Sequence, residues 1–241
     1  MKYSFPGFKT AEFRKYAKSV LAEKHSIGEL RKYAFALLKQ GDYGSCLVAS
    51  YVFRADGVLT NKEKKKIIYQ YADSSDWAVR ETGAGIVGVV LEEDFERWFP
   101  FVKAMVRDRR LNIRRAAVVG CMNSGFFEKR AEQIVRFVFD PCINDGEVYM
   151  RKNLGPFAIG SFLLRKWPDL TYKWMDKWIV SGKNVAIWNV LNAFHATALK
   201  RSIDARKKAV GYLKTAEKFD DKLIQSAVKS LRRRLLRLLE V

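Results

Sequence analysis

Few residues here can bind a metal or form a disulfide. Of 241 residues only three are cysteines, Cys46, Cys121 and Cys142, and none has a partner at the spacing of a zinc site or a disulfide framework. The two histidines, His25 and His195, stand far apart with no carboxylate or cysteine at ligand spacing. Neither a metal nor another cofactor is expected, and each histidine reads as a structural or surface residue. No Ser/His/Asp or Cys/His arrangement and no phosphate-binding loop is legible, which excludes most enzyme classes and leaves carboxylates, aromatics and cations for any chemistry. The first residues lack an apolar signal region, and no apolar run approaches the roughly 20 residues of a membrane span. The expectation is a cytoplasmic protein, or a nuclear one in a eukaryotic cell, with no membrane and no obligate protein partner. Strand-like alternation is almost absent, and no Pro/Gly/Ser-rich linker divides the chain, so one domain over 1–241 is expected.

Acidic residues are also scarce relative to basic ones. Lys and Arg number 45 against 26 Asp and Glu, a formal net charge of +19. Such an excess costs self-repulsion and points to a polyanion, because neutralising phosphates releases counterions. The 49% hydrophobic content is ample for a continuous core.

What the chain does have is a returning phrase: Ala78-Val79-Arg80, Asn112-Ile113-Arg114-Arg115, Tyr149-Met150-Arg151-Lys152, Ala186-Ile187-Trp188 and Leu223-Ile224-Gln225. The steps between its central apolar residues are 34, 37, 37 and 37. This period, with two helix-length segments per unit, predicts an all-α HEAT-like solenoid of about six helix pairs. Residues 1–72 read as a less regular N-terminal cap and 73–241 as the regular repeats. Helices are predicted at 9–24, 27–39, 42–55, 61–72, 77–91, 94–107, 113–123, 127–139, 147–166, 169–180, 185–200, 205–218 and 221–239. Ser26 with Glu29 and Thr60 with Glu63 are capping boxes. Asp76, Asn112, Asp145 and Asn184 stand where N-caps are expected, and Trp167-Pro168-Asp169 reads as a helix start. Pro156 should kink or split its helix near Asn153. The basic C-terminal helix, with Arg232, Arg233, Arg234 and Arg237 beside Leu231, Leu235, Leu236, Leu238 and Leu239, reads as a terminal cap.

Gly83-Ala84-Gly85-Ile86-Val87-Gly88 matches the dinucleotide-binding pattern letter for letter, yet that chemistry needs a strand-to-helix turn. A helix start precedes these glycines, so close packing between helices is the better reading. Arg80, Arg114, Arg115, Arg151 and Lys152 fall at equivalent places on successive units and predict a cationic stripe along a concave face that follows a phosphate backbone. Some of these arginines are equally expected to pair with acids inside the stack. Trp77 and Glu81, four residues apart, share a helix face beside Arg80. Tyr149 and Trp188, at later repeat starts, extend that cluster or belong to the core.

Together, Asp76-Trp77-Ala78-Val79-Arg80-Glu81, Asn112-Ile113-Arg114-Arg115-Ala116-Ala117, and Arg151-Lys152-Asn153-Leu154 with Trp167-Pro168-Asp169-Leu170 resemble the HEAT-like-repeat DNA alkylation repair proteins, the alkylpurine DNA glycosylases of the AlkD and AlkC group. The resemblance runs over roughly residues 27–200. It implies a nucleoid-associated repair enzyme that binds duplex DNA and excises N3- or N7-alkylated, cationic purines. It implies catalytic roles for Glu81 and Trp77, and DNA contacts from Arg80, Arg114, Arg115, Arg151, Lys152 and Trp188. The alternatives are a non-catalytic binder of damaged, branched or duplex nucleic acid and, from a different class, a protein-interaction scaffold.

Overall fold

In the computed structural model, residues 5, 10–23, 26–123 and 130–238 are described, and among them every regular element is a helix. His25, Leu239 and the predicted first turn of the 127–139 helix lie outside the described residues. The chain forms two compact units that meet between residues 125 and 126 in sequence.

The first unit contains α1 (Thr10–Ala22), α2 (Ile27–Gln40), α3 (Tyr43–Val52), α4 (Asn61–Ala72), α5 (Trp77–Glu93), α6 (Phe95–Met105) and α7 (Leu111–Asn123). Their starts follow from local chemistry. Ser26 Oγ accepts from the Glu29 amide at 3.2 Å, while the Glu29 carboxylate accepts from the Ser26 amide at 2.8 Å. Thr60 and Glu63 repeat this box at α4, and Asp42, Asp76 and Asp94 cap α3, α5 and α6 with their carboxylates. Glycine 41 ends α2 in the left-handed region, at φ 80°, where its amide reaches the Leu37 carbonyl.

Helix α5 packs against α3, α4 and α7, and Gly83, the first of the dinucleotide-like glycines, serves that packing. A Cβ built on Gly83 would sit 2.5 Å from the Ala72 amide nitrogen of α4, so only a hydrogen fits there. On the α7 side, a Cβ on Gly120 would meet Val87 at 2.4 Å. Between α4 and α5 the buried Lys64 ammonium pairs with Glu93 at 2.6 Å.

The second unit contains helices over 131–142, 148–166, Pro168–Val180, Asn184–Ala193, Ala196–Arg201, Ile203–Ala216 and Lys222–Leu236. The 148–166 helix packs on Asn184–Ala193, which packs on Lys222–Leu236. The central apolar residues of the recurring phrase, Ile113, Met150, Ile187 and Ile224, are each fully buried, whereas Val79 is half-buried.

Three expectations change. Pro156 does not split its helix; from Leu154 to Leu163 the helix widens to π geometry, as in the Leu164 amide bonding to the Ile159 carbonyl five residues back. The wider turn relieves the clash between a proline ring and the carbonyl four residues before it. The predicted 185–200 helix breaks after Ala193. Phe194 takes φ −83° and ψ 61°, and the His195 amide bonds to the Ala193 carbonyl at 3.0 Å, an inverse γ-turn. Arg234 fixes the break by donating to the Phe194 carbonyl at 3.2 Å. Finally, Asn112 and Asn184 lie inside helices rather than capping them, and Asp145 bonds the Glu147 amide ahead of the helix that begins at Val148. By contrast, Pro168 opens its helix as expected. No helix among the described residues is long and apolar enough to cross a membrane.

The glycine packing makes a paired prediction. Gly83→Ala should destabilise the fold by roughly 1–3 kcal/mol through overpacking against α4. Gly85→Ala, whose Cβ would meet nothing closer than Ser50 at 3.8 Å, should be neutral or stabilising through helix propensity. Urea melts of the two variants measure the opposite signs.

Candidate nucleic-acid interface

The two units divide the candidate residues between them, and each group has its own geometry. In the first unit, Trp77 is the first residue of α5 and is 53% exposed, an unusual position for an indole. It stacks on Tyr43, the first residue of α3, with ring centroids 5.0 Å apart and planes 23° from parallel. Tyr43 in turn meets Phe13 edge-on at 5.9 Å. Tyr43 was not among the residues picked out from sequence. The signal for it was present, because Asp42-Tyr43 precedes Asp76-Trp77 by the same step of 34 that separates the first two phrases.

One turn beyond Trp77, the Glu81 carboxylate pairs with the guanidinium of Arg115 from α7. The pair is lopsided. The Arg115 side chain is 7% exposed and that of Glu81 is 35% exposed, so the carboxylate forms the solvent-facing end. Beneath it, Thr82 donates to the Cys46 carbonyl of α3 at 3.1 Å. Burial, aided by Asp76 and Asp42, pushes the Cys46 thiol up to about 11, which keeps it protonated. Burial also acts to raise Asp42, but hydrogen bonds from Ser45, Gln40 and Gly44 outweigh it and hold that carboxyl below its ordinary value. Cys46, Cys121 and Cys142 are all buried, and none is in a disulfide.

Three of the recurring arginines share a local task. Arg80 Nη1 donates to the Ser74 and Ser75 carbonyls at 2.8 and 2.7 Å. Arg114 Nη1 donates to the Asp108 and Arg109 carbonyls at 3.0 and 2.9 Å. Arg151 Nε donates to the Gly146 carbonyl at 3.2 Å. Gln225, at the same place in the last phrase, donates to the Phe219 carbonyl at 2.7 Å. In each case a side chain in the first turn of a helix reaches back five or six residues to tie down the incoming loop. The arginines are half-buried.

In the second unit Lys152 is exposed, and the Arg151 guanidinium lies 4.9 Å from the Trp188 ring centroid, a cation–π contact. Tyr149 is half-buried, and Phe157 of the same helix is 54% exposed. The first unit thus brings Tyr43, Trp77, Glu81 and Arg115 into one cluster; the second assembles Arg151 with Trp188 and leaves Lys152 to solvent. Among the described residues no group of histidine, cysteine and acidic side chains is arranged to hold a metal.

Comparison with known protein families, with curated proteins and with solved structures returned no match.

The loop ties give a prediction that separates them from ligand contacts. Arg114→Gln should lower stability by roughly 1–3 kcal/mol, the range for hydrogen bonds from a charged donor. Lys152→Gln should leave stability within about 0.5 kcal/mol. Denaturant midpoints of the purified variants, compared with wild type, check both.

Proposed function

We propose that this chain is a HEAT-like repeat protein that binds duplex DNA through a cationic face and excises N3- or N7-alkylated purines. The observation that carries the reading is the cluster in the first unit: an exposed tryptophan one helical turn from a half-exposed carboxylate, which an arginine of the neighbouring helix holds in place. The same backward tie from Arg80 and Arg114 at the start of α5 and α7, and its counterpart from Arg151, supports a repeated architecture.

The chemistry asks little of the protein. An alkylated purine already carries positive charge, so it leaves readily as a neutral base when its bond to the sugar breaks. The sugar is left with oxocarbenium character, and water adds at the same carbon with loss of a proton. In this proposal Glu81 stabilises the cationic sugar and orients the water, as carboxylates do in glycoside hydrolysis. The open indole face of Trp77 attracts the cationic lesion or sugar. The exposed Lys152 holds a phosphate, and the positive charges of Arg80, Arg114 and Arg151 add to the attraction. Arg115 positions Glu81 rather than contacting DNA, because its side chain is buried beneath the carboxylate.

That same ion pair favours a second reading. A carboxylate already paired with a guanidinium offers less charge to a developing cation, which suits a binder of damaged or duplex nucleic acid that lacks the chemistry. A protein scaffold is the weaker alternative, since its grooves rarely need an excess of +19.

Two measurements separate these readings. Release of methylated bases from methylated duplex DNA should fall by about 10²–10³ in Glu81→Gln, with affinity for DNA retained. Circular dichroism of the variant guards against loss of fold from removing the Arg115 partner. No release by wild type, with tight binding kept, would leave the non-catalytic reading standing. Affinity should also fall steeply with salt, and Lys152→Ala should reduce the slope of log affinity against log salt by about 1. Affinity insensitive to salt would remove both nucleic-acid readings.

A further inference from the structure

In the second unit, a cavity of about 370 Å³ opens beside the break between the Asn184–Ala193 and Ala196–Arg201 helices. This volume suits a small molecule. Ser161 and His195, the latter read from sequence as a structural or surface residue, both line it, and Ser161 Oγ lies 3.0 Å from His195 Nε2.

Regular helix geometry brings neither residue there. Ser161 belongs to the π-helical stretch that accommodates Pro156, and its Oγ donates to the Pro156 carbonyl at 3.2 Å. His195 directly follows the γ-turn at Phe194, which swings it out of the helix that the sequence pattern continues. Two further contacts hold the two segments in register. A Cβ on Gly160, next to Ser161, would stand 2.3 Å from the Ala193 carbonyl, so the two backbones touch where only glycine fits. Arg234 reaches in from the last helix to the Phe194 carbonyl and to Asn192 Oδ1, each at 3.2 Å. A serine–histidine tie between helices needs neither a π-helical stretch nor a γ-turn, nor a cavity in front of it. Irregular backbone held by its surroundings concentrates at sites of function.

The cavity walls supply the remaining parts of a reaction site. Leu164 and Ala205 give apolar surface, while Arg165, Tyr172 and Ser202 bring hydrogen-bond donors. Burial raises the Tyr172 phenol above its ordinary value, with Asp204 and Asp169 adding to the effect, so it stays protonated and able to donate.

We propose that this cavity is a reaction centre for small carboxylic esters, in which Ser161 is the nucleophile and His195 its general base. The Ser161 hydroxyl has one hydrogen; with the imidazole proton on Nδ1, that hydrogen turns from the Pro156 carbonyl to Nε2, which accepts it. Ser161 Oγ bonds to the acyl carbon as Nε2 takes its proton. Collapse of the tetrahedral adduct breaks the bond to the alkoxy oxygen, which takes that proton and leaves as an alcohol. Water then adds to the acyl carbon and gives a proton to His195. The bond from Ser161 Oγ breaks, the proton returns to Oγ, and a carboxylic acid is released. The donors on the cavity wall stabilise the oxyanion in both halves.

The test uses the full chain and a fluorophosphonate probe, which reacts with activated serines, followed by mass spectrometry of the labelled peptide. The expected result is an adduct on Ser161, absent in Ser161→Ala and formed about 100-fold more slowly in His195→Asn. Wild type should also hydrolyse p-nitrophenyl acetate, with the same dependence on both residues. Absence of a Ser161 adduct in wild type, or equal labelling of His195→Asn with its helical circular dichroism intact, would falsify the proposal and reduce the pair to a structural hydrogen bond.

Discussion

Backbone-to-backbone approach at glycine is the constraint on which both candidate sites depend. Helix α7 meets α5 where Gly120 faces Val87 and the Ala84 carbonyl, and α5 meets α4 where Gly83 faces Ala72. These contacts set how far apart the helices run, and therefore whether Arg115 on α7 can reach Glu81 on α5. The second unit uses the same device. Gly155 lies against Asn189, and Gly160 against Ala193. The latter contact fixes the separation of Ser161 from His195. At Gly83 and Gly160 an added methyl cannot be absorbed by a rotamer change, because the nearest atom is backbone; at Gly120 and Gly155 the nearest atoms are side-chain atoms of Val87 and Asn189, with backbone at 3.0 Å behind them.

Charge plays two roles in this molecule. The recurring arginines look from their spacing like a uniform stripe, yet Arg80, Arg114 and Arg151 spend hydrogen-bond donors on the loops that lead into their own helices. Each loop arrives with carbonyls that no helix satisfies, and a guanidinium, with five donors on a long arm, meets them better than any other side chain. Their recurrence thus has a reason in folding as well as any reason in binding. Arg115, their neighbour, is buried and acts on Glu81, whereas Lys152 projects to solvent. Adjacent basic residues in one phrase therefore do different work, set by which way each faces from the helix.

Much of the helical framework was legible because its causes are local. Ser26 with Glu29, Thr60 with Glu63, and Asp76 mark helix starts through bonds spanning two or three residues, and Pro168 opens its helix for an equally local reason. Burial of Ile113, Met150, Ile187 and Ile224 followed from their period. Misreadings arose where local preference was overruled. Nothing near Phe194 breaks a helix; Arg234, 40 residues later, takes its carbonyl. Pro156 was recognised as disruptive, but the π-helical answer depends on how the whole 148–166 helix is packed. Tyr43 was missed because its partner, Trp77, lies on another helix, though the shared step of 34 residues pointed to it.

The sequence by itself determined an all-helical chain, the places where most helices begin, the apolar residues at their centre and a large cationic excess. Each is written in bonds over a few residues, in a period, or in a sum over the composition. Tertiary structure alone decided that Glu81 is paired with Arg115, that Trp77 lies against Tyr43, and that Ser161 meets His195 in the wall of a cavity. These pairs lie 34 residues apart, on different helices for the first two and between a helix and an interhelical break for Ser161 and His195. Helical periodicity relates only neighbours within a few turns, so the meeting of such distant side chains is set by interhelical contacts that no local pattern encodes.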